Sequence, residues 1–165
     1  MLFRSRVGAQ IQFDPRAARA VPSTPKFKDA FSSKVAMLLL TPNIPARQIR
    51  EGLLPGLEGL VLVAFPSGTA PTHDSEFMQL LSDARRRKIP VVVATEGVGV
   101  TGSEYKAGKE MLAEGCLWSG AMTPECAYVK AAWLLGQRLT PASFKKFWEK
   151  EIAFEGVSQI GRAHV

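Results

Sequence analysis

The sequence has little of what builds metal centres and disulfide frameworks. It holds two cysteines, Cys116 and Cys126, and two histidines, His73 and His164. The cysteines carry no paired spacing, which excludes a disulfide scaffold and a thiolate metal site and leaves two reduced core or near-core thiols. Long apolar runs are missing too. The longest, Val35-Ala36-Met37-Leu38-Leu39-Leu40 and Leu60-Val61-Leu62-Val63-Ala64-Phe65, have strand length, far below the roughly 20 residues of a membrane span. No hydrophobic stretch follows the first methionine, so no secretory leader and no membrane partner are expected, and the expected location is cytoplasmic. A nucleophilic triad is also lacking. His73 has no serine or cysteine beside it in a recognisable motif, so no residue of the chain is assigned a catalytic role.

What is present is a core. Apolar residues make up 46% of the chain, too many for a disordered polypeptide. The formal net charge of +6 suggests nucleic acid until the chain is divided. Residues 34–157 hold 14 Lys/Arg against 13 Asp/Glu, and the flanks hold 7 against 2. The excess sits on an N-terminal arm and a tail, whereas a nucleic-acid-binding fold carries its charge on a structured face. No nucleic-acid partner is expected. One dense run, Arg85-Arg86-Arg87-Lys88, falls at a predicted helix end. There it either complements the macrodipole or forms a phosphate-binding patch.

Residues 1–33 mix Pro, Ser, Lys and Arg and read as a linker or arm, with a short helix near 15–20. The opening Met-Leu-Phe-Arg-Ser and the closing stretch 158–165 lack periodicity and capping logic and are read as non-native ends. From Lys34 the pattern is regular. Residues 35–40, 60–65 and 90–95 read as strands buried on both faces, and 117–119 as a short fourth strand. Between them lie a short helix over 46–54, a helix capped by Thr72 or Asp74 that reaches Lys88, and one over 103–114 that stops at Gly115. Thr123-Pro124-Glu125 starts a helix that ends near Gly136, with Val129, Ala132, Trp133 and Leu134 as its core stripe. Thr140-Pro141 starts a last helix to about Glu151. This order predicts an α/β fold: a three-layer, Rossmann-like domain over 34–157, with a small, about four-stranded parallel sheet flanked by helices. Ligands of such sheets meet the loops beyond the carboxyl ends of the strands.

Those loops hold the candidate site. Ser67, Gly68 and Thr69 offer backbone N–H groups and two hydroxyls, which could hold a carboxylate or phosphate or merely shape a turn. Thr95 and Glu96 end the third strand. Glu96 could bind an amine, act as a base, or cap the next turn. The loop 97–102 fits G-x-G-x-x-G after a strand and before a helix. Against a dinucleotide site, it follows the third strand rather than the first, and no acidic partner stands about 20 residues on.

Several segments resemble the C-terminal domain of type I L-asparaginases and of the related lysophospholipase/asparaginase proteins of animals. They are KVAMLLLTP (34–42), GLVLVAFPSGTAP (59–71), IPVVVAT (89–95), YKAG (105–108) and SGAMTPECAYVKAAWLLGQ (119–137). The AYVK..WLLG wording also looks like the asparaginase-related subunit of archaeal tRNA amidotransferases. The resemblance implies a hydrolase of asparagine, possibly of glutamine, with no metal and no cofactor. Its threonine nucleophiles would lie in an N-terminal domain outside this chain. It further implies a homodimer whose C-terminal domain helps close the active site, and a small amino acid (asparagine, glutamine or aspartate) as partner of Ser67, Gly68, Thr69, Thr95 and Glu96.

The site loops depart from the family's pattern. Pro66 replaces the first glycine of G-x-G-N-A-P and Thr69 its asparagine. Glu96 replaces the glutamine of T-Q-C and Gly97 its cysteine. Ala121 stands for the aspartate before M-T-P-E, and Val63 for an arginine of allosteric members. Two other readings stay open: a non-catalytic module that binds a small amino acid or supports dimerisation, and a nucleotide-binding domain built on 97–102.

Overall fold

A computed structural model describes residues 4–7, 10–13, 28–96 and 105–152. In the arm, β1 (Arg4–Val7) pairs antiparallel with β2 (Gln10–Phe13), strands that the linker reading did not anticipate. The predicted turn of helix near 15–20, the glycine-rich loop and the tail lie outside the described residues.

The larger unit is the expected parallel sheet. β3 (Val35–Leu39), β4 (Gly59–Ala64), β5 (Val91–Thr95) and β6 (Leu117–Trp118) stand side by side in sequence order, every pair parallel. Alternation along the strands splits the core in two. Leu60, Leu62, Val91 and Val93 face α2 (Ser75–Arg86) and Met111 of α3 (Lys106–Ala113). Val35, Val61, Val92 and Ala94 face α4 (Pro124–Gly136) and α5 (Pro141–Trp148). Both β4 and β5 are buried along their whole length, as strands covered on both faces must be.

β3 corrects the expectation of a strand buried on both faces. It is an edge strand, with Met37 and Leu39 exposed on the α4 side. Its apolar run resembles that of β4, but a position at the sheet's margin cannot be read from composition. Val129 likewise leaves the predicted core stripe and lies exposed on α4.

The helices start where side-chain chemistry dictates. Asp74, Thr123 and Thr140 each accept a hydrogen bond from the first turn of α2, α4 and α5 respectively, which satisfies otherwise orphaned N–H groups. α2 ends at Arg86 rather than Lys88, and α5 at Trp148 rather than Glu151. The stop of α2 is a left-handed cap. Lys88 has φ 61°, its N–H reaches the Arg85 carbonyl, and the next N–H, of Ile89, reaches Ala84. Gly115 closes α3 in the same way, with Cys116 bonded back to Met111. Both are the paired bonds of a Schellman motif. The short helix after β3 is composite: α1 (Ala46–Gln48) widens into a π turn, Ile49–Leu53, and tightens into a 3-10 turn, Leu54–Gly56.

The end of α4 forms a clasp. Trp133 Nε1 donates to the Lys28 carbonyl at 2.8 Å, and Gln137 Nε2 to Ala30 at 2.9 Å. Ser32 N–H donates to the Ala132 carbonyl at 2.9 Å. A Cβ on Gly136 would fall inside the backbone of Ala30 and Phe31, so only hydrogen allows this approach. Further along α4, Lys130 is buried and its Nζ donates to the carbonyls of Trp148 and Lys150, both at 2.9 Å. Its ammonium thus meets the last carbonyl of α5 and one just beyond it, where the helix dipole favours a cation.

Candidate functional site

The strands' carboxyl ends converge on one edge of the sheet. β4 runs into a tight turn: Gly68, at φ 74°, donates its N–H to the Phe65 carbonyl at 2.6 Å, and Phe65 N–H reaches the Thr69 carbonyl at 3.0 Å. A side chain at Gly68 would be strained there. The turn sets the Ser67 and Thr69 hydroxyls 2.9 Å apart, hydrogen-bonded to each other. Pro66 and Ser67 are exposed and Thr69 is half-buried.

Thr95 ends β5 beside this turn. Its buried Oγ1 donates to the Phe65 carbonyl at 3.1 Å, with the Pro66 carbonyl at 3.4 Å. Its hydroxyl proton is therefore committed to the neighbouring loop. Thr95 acts as an anchor that fixes where Ser67 and Thr69 stand. Glu96 follows, exposed at the rim. Ser67, Gly68, Thr69, Thr95 and Glu96 thus share the carboxyl edge of two adjacent strands, β4 and β5.

Ser119 is a residue that sequence reasoning missed. It follows β6, is buried, and ties its N–H to Val93. Its Oγ has no hydrogen-bond partner among the described residues. A buried hydroxyl in that state has donor and acceptor capacity in hand. Its signal in the sequence is weak, because serine after a two-residue strand reads as turn chemistry.

Other candidates are structural. Burial pushes the Cys116 thiol up to about 12, with nearby Glu114 adding to the shift, so it is a poor nucleophile. Cys126 is half-buried on α4. His73 is exposed between the β4 loop and α2. Among the described residues no group of His, Cys, Asp and Glu could hold a metal ion, and no helix is long and apolar enough to cross a membrane. The four strands lie in sequence order, so the described sheet lacks the reversal of strand order that makes a dinucleotide crevice.

Residues 34–147 match the family model of the glutaminase/asparaginase C-terminal domain. The chain belongs to that family. The human 60 kDa lysophospholipase is 33% identical over 134 residues, which cover 79% of this chain and 23% of that protein. One subunit of the glutamyl-tRNA(Gln) amidotransferase of Aeropyrum pernix is 29% identical over 130 residues, covering 77% of this chain and 30% of its own. The thermostable L-asparaginase of Thermococcus kodakarensis superposes with a TM-score of 0.78 at 25% identity, over 94% of this chain and 47% of that one. The chain thus spans less than half the length of each of these proteins. Within the matched region, the G-x-G-x-x-G loop is part of an asparaginase-type domain.

Proposed function

We propose that this domain serves an L-asparaginase-type amidohydrolase, converting L-asparagine to L-aspartate and ammonia, as the part that completes and closes an active site whose nucleophile lies in another domain. The observation that carries the reading is the β4 turn. Gly68 shapes it, Thr95 anchors it, and it presents the Ser67 and Thr69 hydroxyls side by side at the carboxyl edge. Paired hydroxyls on a fixed turn can hydrogen-bond a zwitterionic amino acid without paying for loop ordering at binding. Glu96, at the rim, supplies a carboxylate for its ammonium. The family membership and the greater length of the relatives support a catalytic partner domain, in the same chain or across a dimer interface.

The test is ammonia release from the product of the complete reading frame and from the 165-residue chain. The chain alone is expected to be inactive. In the complete protein, Thr69→Ala and Ser67→Ala should raise KM for asparagine by roughly tenfold, the loss of a hydrogen bond to a charged group, and leave kcat within a few fold. Activity of the chain alone, or an unchanged KM in both variants, refutes the proposal. The similarity to a glutamyl-tRNA(Gln) amidotransferase makes glutamine the competing substrate, and a higher kcat/KM for glutamine would move the assignment to that branch.

A further inference from the structure

A concavity lies at the amino-terminal edge of the sheet, opposite the β4 turn. It is a cleft of about 210 Å³ between the ends of α2 and α3 and the first turn of α5. Ile89, Val91, Leu117 and Phe144 form its apolar walls. Arg85, Lys88 and Lys145 reach it from two separate helices and a turn, and Glu114 is the one acid on its lining.

The cations are not equivalent. Arg85 is already engaged: Nη2 stands 3.5 Å from Glu114 and Nη1 donates to the Ala113 carbonyl at 3.4 Å. Lys88 and Lys145 form no ion pair among the described residues. The basic run read from the sequence is thereby divided. Arg86 pairs with Asp83 one turn back, Arg87 does not line the cleft, and Arg85 and Lys88 do. Helix-dipole compensation explains cations in the last turn of α2. It does not explain a lysine held at φ 61°, a conformation that favours glycine.

We propose that this cleft binds a small aromatic phosphate monoester. The apolar walls take the ring, and Lys88 and Lys145, both on the lining, supply positive charge for the phosphate. The volume of about 210 Å³ suits a ligand of one or two fused rings. The site is separate from the β4 turn, at the other edge of the sheet, and does not depend on the amidohydrolase reading.

The probe is 1-naphthyl phosphate, titrated into the 165-residue chain and followed by its fluorescence, with 1-naphthol and inorganic phosphate as competitors. Saturable binding is expected, at least tenfold tighter than either competitor, because each supplies only half of the recognition. The double variant Lys88→Gly and Lys145→Gln should weaken binding by about tenfold or more, the loss expected for charge-assisted contacts. Glycine suits the left-handed cap, so the double variant keeps its fold, which circular dichroism would verify. Arg87→Gln should leave binding unchanged. The proposal fails if the probe does not saturate, if inorganic phosphate alone competes equally, or if Arg87→Gln weakens binding as much as the double variant.

Discussion

At the amino-terminal edge of the sheet, Trp133, Gly136 and Gln137 of α4 clasp the segment 28–32 through backbone and side-chain contacts. At the carboxyl-terminal edge, the hydroxyl of Thr95 ties down the turn that carries Ser67 and Thr69. The two edges differ in what the sequence keeps. The clasp is the WLLGQ wording that carries the family resemblance, whereas Pro66, Thr69, Glu96 and Ala121 all depart from the family's pattern. One edge is constrained by packing, where a single added methyl meets backbone. The other faces outward, and its residues are those proposed to meet a ligand. A family signature can therefore report how a domain is fastened rather than what it binds.

That contrast can be broken experimentally, starting with the clasp. Gly136→Ala places a Cβ into the backbone of Ala30 and Phe31 and is expected to cost about 3 kcal/mol, as overpacking does. Urea unfolding would show it, and a change below about 1 kcal/mol would mean that the segment 28–32 simply moves aside. Next is Lys130→Met, which keeps the aliphatic stem and leaves the Trp148 and Lys150 carbonyls without their donor. The expected loss is about 2 kcal/mol, with faster amide exchange over 141–150 rather than across the sheet.

Thr95→Val probes the other edge. It removes the hydrogen bond to Phe65 for about 1 kcal/mol of stability. Its larger effect should be on the turn, seen as faster exchange at residues 65–69. Equal protection in the variant would show that Thr95 is not the anchor.

The smallest effect concerns the thiols. Cys116, buried and raised to about 12, stays protonated in the folded chain up to that pH, while an unfolded thiol ionises near 9. Its contribution to stability is therefore complete below pH 9 and fades as the pH rises toward 12. At pH 8 a thiol reagent should modify Cys126 in the native chain much faster than Cys116, and both at similar rates in urea. Rapid native labelling of Cys116 would show that α3 opens locally.

Much of the fold was legible because its chemistry is local. The helix starts at Asp74, Thr123 and Thr140 are capping residues that act on their own first turns. The interiors of β4 and β5 are apolar because helices cover both faces. The rest was not local. Lys88 ends α2 in the left-handed region without being glycine, so nothing in its identity marks the stop. Whether Met37 and Leu39 lie buried depends on which strand is at the margin. The candidate site was legible as a set of loops, through the rule that strand ends gather ligands. The division of labour within it was not. Thr95 reads as a ligand contact in the sequence, but its proton is held by a carbonyl 30 residues earlier in the chain.

The two attachments on α4 also have a mechanical meaning. The segment that leads into the sheet is held at Ala132, Trp133 and Gln137, and the one that leaves α5 is held at Lys130. These anchor points fall within two turns of one helix, about 10 Å apart at 1.5 Å per residue. Both flanking segments are thus fastened to one short stretch of helix rather than to the strands.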